Sequence, residues 1–388
     1  MNQTLDPFAP ASLGPLTLRN RIIKAATFEG MTRKHVVSDR LIEFHREMAA
    51  GGVGMTTVAY CAVSPDGCGT PNEVILTPDA VPGLRQIAEV VHEQGAAINA
   101  QIGHAGAVAA GAGYVGRSPS RIFSPLAMKF TKPLSPSEIE TVIDQFAAAA
   151  RVVADGGFDS IEVHLGHGYL PSEFLSPKLN RRTDEWGGVL ENRARLSRMI
   201  VQAVRAAVGP NLAVIAKLNM SDGVPGGLWV DESMRVAKML QDDGHLDALE
   251  LTAGSSLENP MYLFRGEPPL TEMAAVMPRL VRPGFKLAGK FFLKSYPFED
   301  CYLMAMARQF REALEMPLIA LGGISNRDHI DQAMRDGFEF VAMGRALLRE
   351  PDFVQRVQDD PQAQSLCIHC NKCMPTIYTG THCVLRES

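Results

Sequence analysis

Long apolar runs are missing from this sequence. No stretch of its 388 residues approaches the roughly 18 apolar positions needed to cross a bilayer, so a membrane-spanning protein is not expected. Basic runs are missing too. Lys and Arg total 38 against 43 Asp and Glu, a net charge of −5, and no cluster of Lys and Arg marks a nucleic-acid surface. The N-terminus, MNQTLDPFAP, has no charged segment followed by an apolar one, so no secretory leader is expected. Cysteine is sparse and odd in number. Seven cysteines without a leader point to free thiols in a reducing cytoplasm. Four of the seven crowd into the last 22 residues.

What is there is enough for one large core: 46% of residues are hydrophobic and 21% charged. Eight short apolar runs alternate with helical patterns. The runs are Arg21–Ala26, Val53–Ala59, Ala96–Gly103, Ser160–Val163, Ala213–Leu218, Ala248–Thr252, Leu318–Leu321 and Phe338–Met343. Helices are expected after Ser38, after Asp79 as cap, from Ser135-Pro136-Ser137-Glu138, over Leu190–Val208 and after Asp231 as cap. Further helices are expected over Asp300–Ala313 and Asp328–Asp336 and from Arg345. Strands bounded by Gly or polar residues read as parallel and buried on both faces. Eight strand–helix units close naturally into an α/β fold of the (β/α)8 TIM-barrel type, with an open doubly wound sheet as the rival. The barrel is expected over residues 1–358, with a Cys-rich tail over 359–388.

A barrel of this kind carries its chemistry at the C-terminal ends of its strands. Those ends present Thr27, Tyr60, Gln101 with His104, His164 with His167 and Tyr169, Lys217, Gly322-Gly323 and Gly344-Arg345. Glycine pairs at the seventh and eighth strands, one followed by Arg, suit a phosphate held by bare backbone N–H groups; tight packing turns are the bland alternative. Gln101 offers a donor and an acceptor to the edge of a flat heterocycle. Lys217, on a buried strand, needs an anionic or electron-rich partner; a salt bridge is the simpler reading. His164, His167 and Tyr169 leave one strand end together. They could be a zinc pair, two structural histidines, or two imidazole donors to a substrate oxygen with a tyrosine delivering a proton.

The segment HLGHGYLPSEFLSPKLNRRTDEWGGVLENR resembles, almost position for position, the active-site segment of the Old Yellow Enzyme family of flavin-dependent ene reductases. LTLRNRIIKAAT, AQIGHAG, LGGISN and AMGRALLREP extend the resemblance over about residues 7–358. It implies an FMN-containing barrel, reduced by NADH or NADPH, that then reduces the activated C=C bond of α,β-unsaturated carbonyl compounds. His164 and His167 would grip the carbonyl oxygen and Tyr169 would give the proton. Ala25, Ala26 and Thr27 would lie against the flavin ring, and Gln101 would bond its pyrimidine edge. Lys217 would sit near N1 and O2, and Gly322, Gly323, Gly344 and Arg345 would hold the phosphate. A small-molecule enone and NAD(P)H are the implied partners, and self-association into a homo-oligomer is compatible with the pattern. Phe28 aligns where the family has Thr or Cys, with Thr27 adjacent. Tyr60 replaces a small residue, and the connection after the sixth strand is long.

Cys367, Cys370, Cys373 and Cys383, spaced C-x2-C-x2-C-x9-C, resemble the iron–sulfur segment of the branch containing 2,4-dienoyl-CoA reductases, with tighter spacing. A [4Fe–4S] cluster, a structural zinc and free thiols remain open. Two other activities are carried forward: a flavin amine dehydrogenase or demethylase, or dienoyl reductase, fed by a separate donor, and a non-catalytic flavin-binding electron carrier.

Overall fold

The computed structural model describes residues 5–109, 115–124, 129–277, 279 and 282–386. Eight strands form one parallel barrel: β1 (Ile22–Lys24), β2 (Met55–Ala62), β3 (Ala97–Gly103), β4 (Ser160–Leu165), β5 (Ala213–Asn219), β6 (Ala248–Thr252), β7 (Leu318–Leu321) and β8 (Phe340–Met343). Each pairs in parallel with its neighbours, and β8–β1 and β1–β2 pairings close the circle. Nearly every strand residue is buried, because the barrel interior covers one face and helices the other.

The outer helices are α1 (Asp39–Ala50), α2 (Val81–Glu93), α3 (Pro136–Asp155), α4 (Leu190–Val208), α5 (Val230–Asp243), α6 (Met304–Ala313), α7 (Arg327–Arg335) and α8 (Arg345–Arg349). The start of α3 is a full capping box: Ser135 Oγ accepts from Glu138 N–H, and Glu138 Oε2 accepts from Ser135 N–H. Asp79 and Asp231 do not cap. Residues Pro78–Ala80 form a turn that feeds α2, and Trp229 precedes α5, leaving Asp231 in its first turn, where the helix dipole favours it. The long connection after β6 is not featureless. It carries helices Pro260–Phe264, Leu270–Val276 and Arg282–Phe292. Arg265 pins it, its guanidinium lying 4.4, 5.1 and 5.7 Å from the rings of Tyr262, Tyr296 and Tyr302.

The barrel interior is layered, and the layering positions the site. At the N-terminal end Ile23, Met55, Ile215, Ile319 and Phe340 pack together, and the hairpin Ala11–Leu13/Leu16–Leu18 seals them with Leu13 and Leu18. Successive inward residues are two apart. Moving up, β4 therefore presents Glu162 and then His164, β5 presents Ile215, Lys217 and Asn219, and β6 presents Glu250 and Thr252. In register, Glu162 lies beside Gln101, Lys217 beside both His164 and Glu250, and Asn219 beside Thr252. The interior thus changes from oil to charge to hydrogen-bonding side chains on the way to the mouth.

Candidate active site

The charged layer is a closed ion-pair group. Lys217 Nζ lies 2.9 Å from Glu162 and 2.7 Å from Glu250, all three essentially without exposure. Burial alone would push the Lys217 ammonium down, but the two carboxylates outweigh it and its pKa is raised. Burial also raises Glu250 to about 8, against the pull of Lys217. Gln101 Nε2 donates to Glu162 at 2.5 Å, which leaves its amide oxygen with no partner among the described residues. Lys217 therefore has the carboxylate partners of the simpler reading.

Above this layer stand the imidazoles. The rings of His164 and His167 are 5.1 Å apart between centroids, and Tyr169 is 4.7 Å from His164. Tyr60 joins them, 5.1 Å from Tyr169 and 6.4 Å from His164. Of the three sequence candidates, none is displaced: all converge on one spot. Burial, then the His167 and Lys217 charges, hold His164 well below the usual imidazole range. Burial and Lys217 bring His167 down to about 3. Both rings are neutral at neutral pH, so each can donate one N–H. His167 Nε2 bonds Thr252 Oγ1 at 2.8 Å, and the buried His164 Nδ1 has no partner among the described residues. Burial raises the Tyr169 phenol, and the neighbouring Glu73 carboxylate and Tyr378 add to it, so Tyr169 keeps its proton.

Ala26 and Phe28 pack with Tyr169 against Ala59, Tyr60 and Cys68, while Thr27 Oγ1 bonds Glu29 at 3.3 Å. Ala25 N–H continues the ladder to Met343. Gly322 and Gly323 have φ of +103° and +74°, which only glycine takes without strain. Gly344 is bare: a Cβ there would meet only the Thr27 methyl, at 3.5 Å. A Cβ at Gly322 would come 2.8 Å from Leu303 and one at Gly323 2.7 Å from the Cys301 nitrogen, so packing requires these two glycines and only the backbone of Gly344 is open on its side-chain face. Arg345 has a further partner that the sequence did not suggest. Its Nη1 donates to Asn371 Oδ1 at 2.5 Å, and it lines a pocket in the tail.

That pocket collects Cys367, Cys370, Cys373 and Cys383, all free, together with Arg345, Arg349 and His369. Among the described residues no three His, Cys, Asp or Glu are placed to hold one metal ion. The tail then returns to the mouth. Thr381 N–H donates to Glu29 C=O at 2.7 Å, its hydroxyl bonds Phe28 C=O, and Arg40 bonds Thr379 C=O.

Glu162, Glu250, Asn219, Thr252 and Glu73 are the site residues that sequence reasoning did not assign. Glu73 is buried, and its carboxylate accepts from Gly69 and Thr70 N–H at 2.9 and 2.7 Å. Burial nevertheless raises it from 4.5 to about 8. A folded-state pKa above the unfolded one means that the folded protein holds the extra proton between these values. Its contribution is complete below the unfolded value and is lost as pH rises through the folded one. Stability is therefore expected to fall between about pH 4.5 and about pH 8 through this group. Glu73→Gln removes that component. Denaturant unfolding on both sides of the window checks it: the gap between wild type and variant should shift in favour of Glu73→Gln at the alkaline side. A gap independent of pH contradicts the assignment.

A parallel barrel whose strand ends bring a bare Gly344, the Gln101 amide and two neutral imidazoles beside a tyrosine suits an oxidoreductase with a flat cofactor. The comparisons give the family. The profile of the NADH:flavin oxidoreductase / NADH oxidase family matches residues 6–256, and the chain belongs to that family. It is an NAD(P)H-dependent FMN oxidoreductase. It is 55% identical over 383 residues, 98% of this chain and 95% of the relative, to a 4,4'-dithiodibutanoate disulfide reductase of Rhodococcus erythropolis. It is 29% identical to an NADPH dehydrogenase of Bacillus subtilis, covering 90% of this chain and 93% of the relative. The old yellow enzyme homologue of Zymomonas mobilis has the same fold, with a TM-score of 0.73 at 24% identity over 94% of this chain and 96% of that one. Against some other relatives and structures, such as a metal reductase of Desulforamulus reducens, the chain spans about half their length. Among the described residues no helix is long and apolar enough to cross a membrane.

Proposed function

We propose that the site reduces the activated C=C bond of small α,β-unsaturated carbonyl compounds. The observation that carries this reading is the convergence of His164, His167 and Tyr169 above the charged layer, with both imidazoles neutral and the phenol protonated. FMN, when bound, supplies the chemistry of taking a hydride from NAD(P)H and passing one to the acceptor. Ala25, Ala26, Thr27, Gln101 and the backbone of Gly322, Gly323 and Gly344 would hold it, with Arg345 shared between the phosphate and the tail. Lys217, kept charged by Glu162 and Glu250, would offer that group a fixed positive charge. The histidines polarise the carbonyl oxygen as neutral donors, so the β-carbon becomes electrophilic. Tyr169 then donates its proton to the α-carbon, and burial restricts competing water. The test is isotopic. With deuterated NAD(P)D, the product from cyclohexenone should carry label at the β-carbon and a solvent proton at the α-carbon. Label absent from the β-carbon sinks the reading.

A second reading is supported by the 55% identical disulfide reductase. A small organic disulfide would take hydride at one sulfur. The S–S bond breaks, and the departing thiolate takes a proton from Tyr169, giving two thiols per NAD(P)H. Counting thiols released from 4,4'-dithiodibutanoate against NAD(P)H consumed tests it.

Four thiols and two guanidiniums around one cavity fit an iron–sulfur cluster held by Cys367, Cys370, Cys373 and Cys383. Iron and sulfide analysis of the purified protein decides it.

A further inference from the structure

We infer that Thr252 is a positioning residue that fixes His167 in the tautomer carrying its proton on Nδ1, aimed at the barrel mouth. The role deepens the reading of His167 as a substrate donor and rests on it for its catalytic consequence.

His167 is held on every side but one. Its backbone has φ +60°, the left-handed region that a non-glycine residue occupies only when its surroundings impose it. Its N–H donates to Asn219 Oδ1 at 3.0 Å, and its C=O accepts from Ser256 N–H at 2.8 Å. Asn219 is itself fixed, because its amide donates to Asp222 at 2.9 Å and to Gly254 C=O at 2.8 Å. The ring is then tied by Nε2 to Thr252 Oγ1 at 2.8 Å. Nδ1 has no partner among the described residues and is the one ring nitrogen left to meet a ligand.

The direction of the Nε2–Thr252 bond follows from counting protons. Thr252 is fully buried, and its hydroxyl has no other partner among the described residues. If it accepted from an Nε2–H, its own proton would be buried without an acceptor, and Nδ1 would be a bare lone pair facing a carbonyl oxygen. If the hydroxyl donates to Nε2, its proton is satisfied and the single imidazole proton moves to Nδ1. Gly166 makes the arrangement fit. A Cβ there would come 3.0 Å from Asn219 Oδ1 and 3.2 Å from the Thr252 methyl, so the glycine between the two histidine turns leaves room for both anchors.

The holoenzyme labelled with ¹⁵N-histidine gives the direct test, using long-range ¹H–¹⁵N correlation with His167→Gln to assign the signal. The neutral ring of His167 should show the Nδ1-protonated pattern. Thr252→Val should lose that pattern and Thr252→Ser should keep it. In stopped flow, the two half-reactions of Thr252→Val are followed separately. Reoxidation by cyclohexenone should slow by about tenfold to hundredfold, below the loss from deleting a donor outright, and Thr252→Ser should recover most of it. An Nε2-protonated ring in the wild type overturns the inference, as does an unaltered tautomer in Thr252→Val. A wild type with the Nδ1-protonated ring that reduces no enone leaves the tautomer assignment supported and refutes the enone reading instead.

Discussion

Tyr169→Phe is expected to accept reducing equivalents from NAD(P)H at the wild-type rate and to lose roughly 10²–10⁴-fold in reoxidation by an enone, the usual worth of a positioned general acid. The substitution isolates the proton. Phenylalanine keeps the ring, so packing against Tyr60 at 5.1 Å and His164 at 4.7 Å survives. The hydroxyl alone is lost, and with it a proton that burial holds on the oxygen. The same variant separates the two substrate readings. An α-carbon needs a proton to complete the reduction, whereas a thiol ordinarily titrates near 8.5 and a thiolate can leave without one. The loss with a disulfide should therefore be much smaller than with cyclohexenone. Stopped-flow measurement of the two half-reactions checks both statements. Enone reoxidation at the wild-type rate would remove Tyr169 from the proton path.

Lys217→Met is expected to destabilise the protein by about 3–5 kcal/mol, because it leaves buried carboxylates without their cation. Glu162 and Glu250 have no exposure, and each is within 3 Å of the ammonium. Methionine fills the space but supplies no charge. The folded protein then recovers only by protonating a carboxyl, and Glu250, already raised to about 8 with its partner present, is the one disposed to do so. A carboxyl with a raised folded-state pKa stabilises at low pH and loses that contribution as pH rises. The deficit should therefore grow from mildly acidic to alkaline pH. Urea unfolding of wild type and variant at both ends of that range measures it. A deficit below about 1 kcal/mol that ignores pH would mean that the three charges are not a unit.

Most of the fold was legible because the barrel writes its rule locally: eight apolar runs punctuated by glycine, each followed by a helical period. The site candidates were legible for the same reason, since His164, Lys217 and Gly344 are simply strand ends. What escaped was pairing between strands. Glu162 lies two residues before His164 and Glu250 two before Thr252, so the alternation of a strand puts each on the inner face. Their meeting with Lys217 depends on the register of β4, β5 and β6, which no single strand encodes. Asn219 and Thr252 were hidden likewise, as they act on His167 across neighbouring strands. Arg345 shows the limit of a motif. Its place at the end of β8 was readable, but its bond to Asn371 of the tail joins positions 26 residues apart, and nothing in the local pattern announces it. The caps at Asp79 and Asp231 failed for a smaller reason: an acidic residue near a helix start gains from the dipole inside the first turn as well as before it.

The central claim is that the barrel mouth holds a reducible flavin beneath the His164–His167–Tyr169 group and returns its electrons to a small electrophile. Anaerobic titration of the purified protein tests it most directly. One equivalent of NAD(P)H should bleach the yellow absorbance, and one equivalent of cyclohexenone should restore it. Protein that takes up no FMN, or bleached protein that neither cyclohexenone nor 4,4'-dithiodibutanoate restores, would contradict the account.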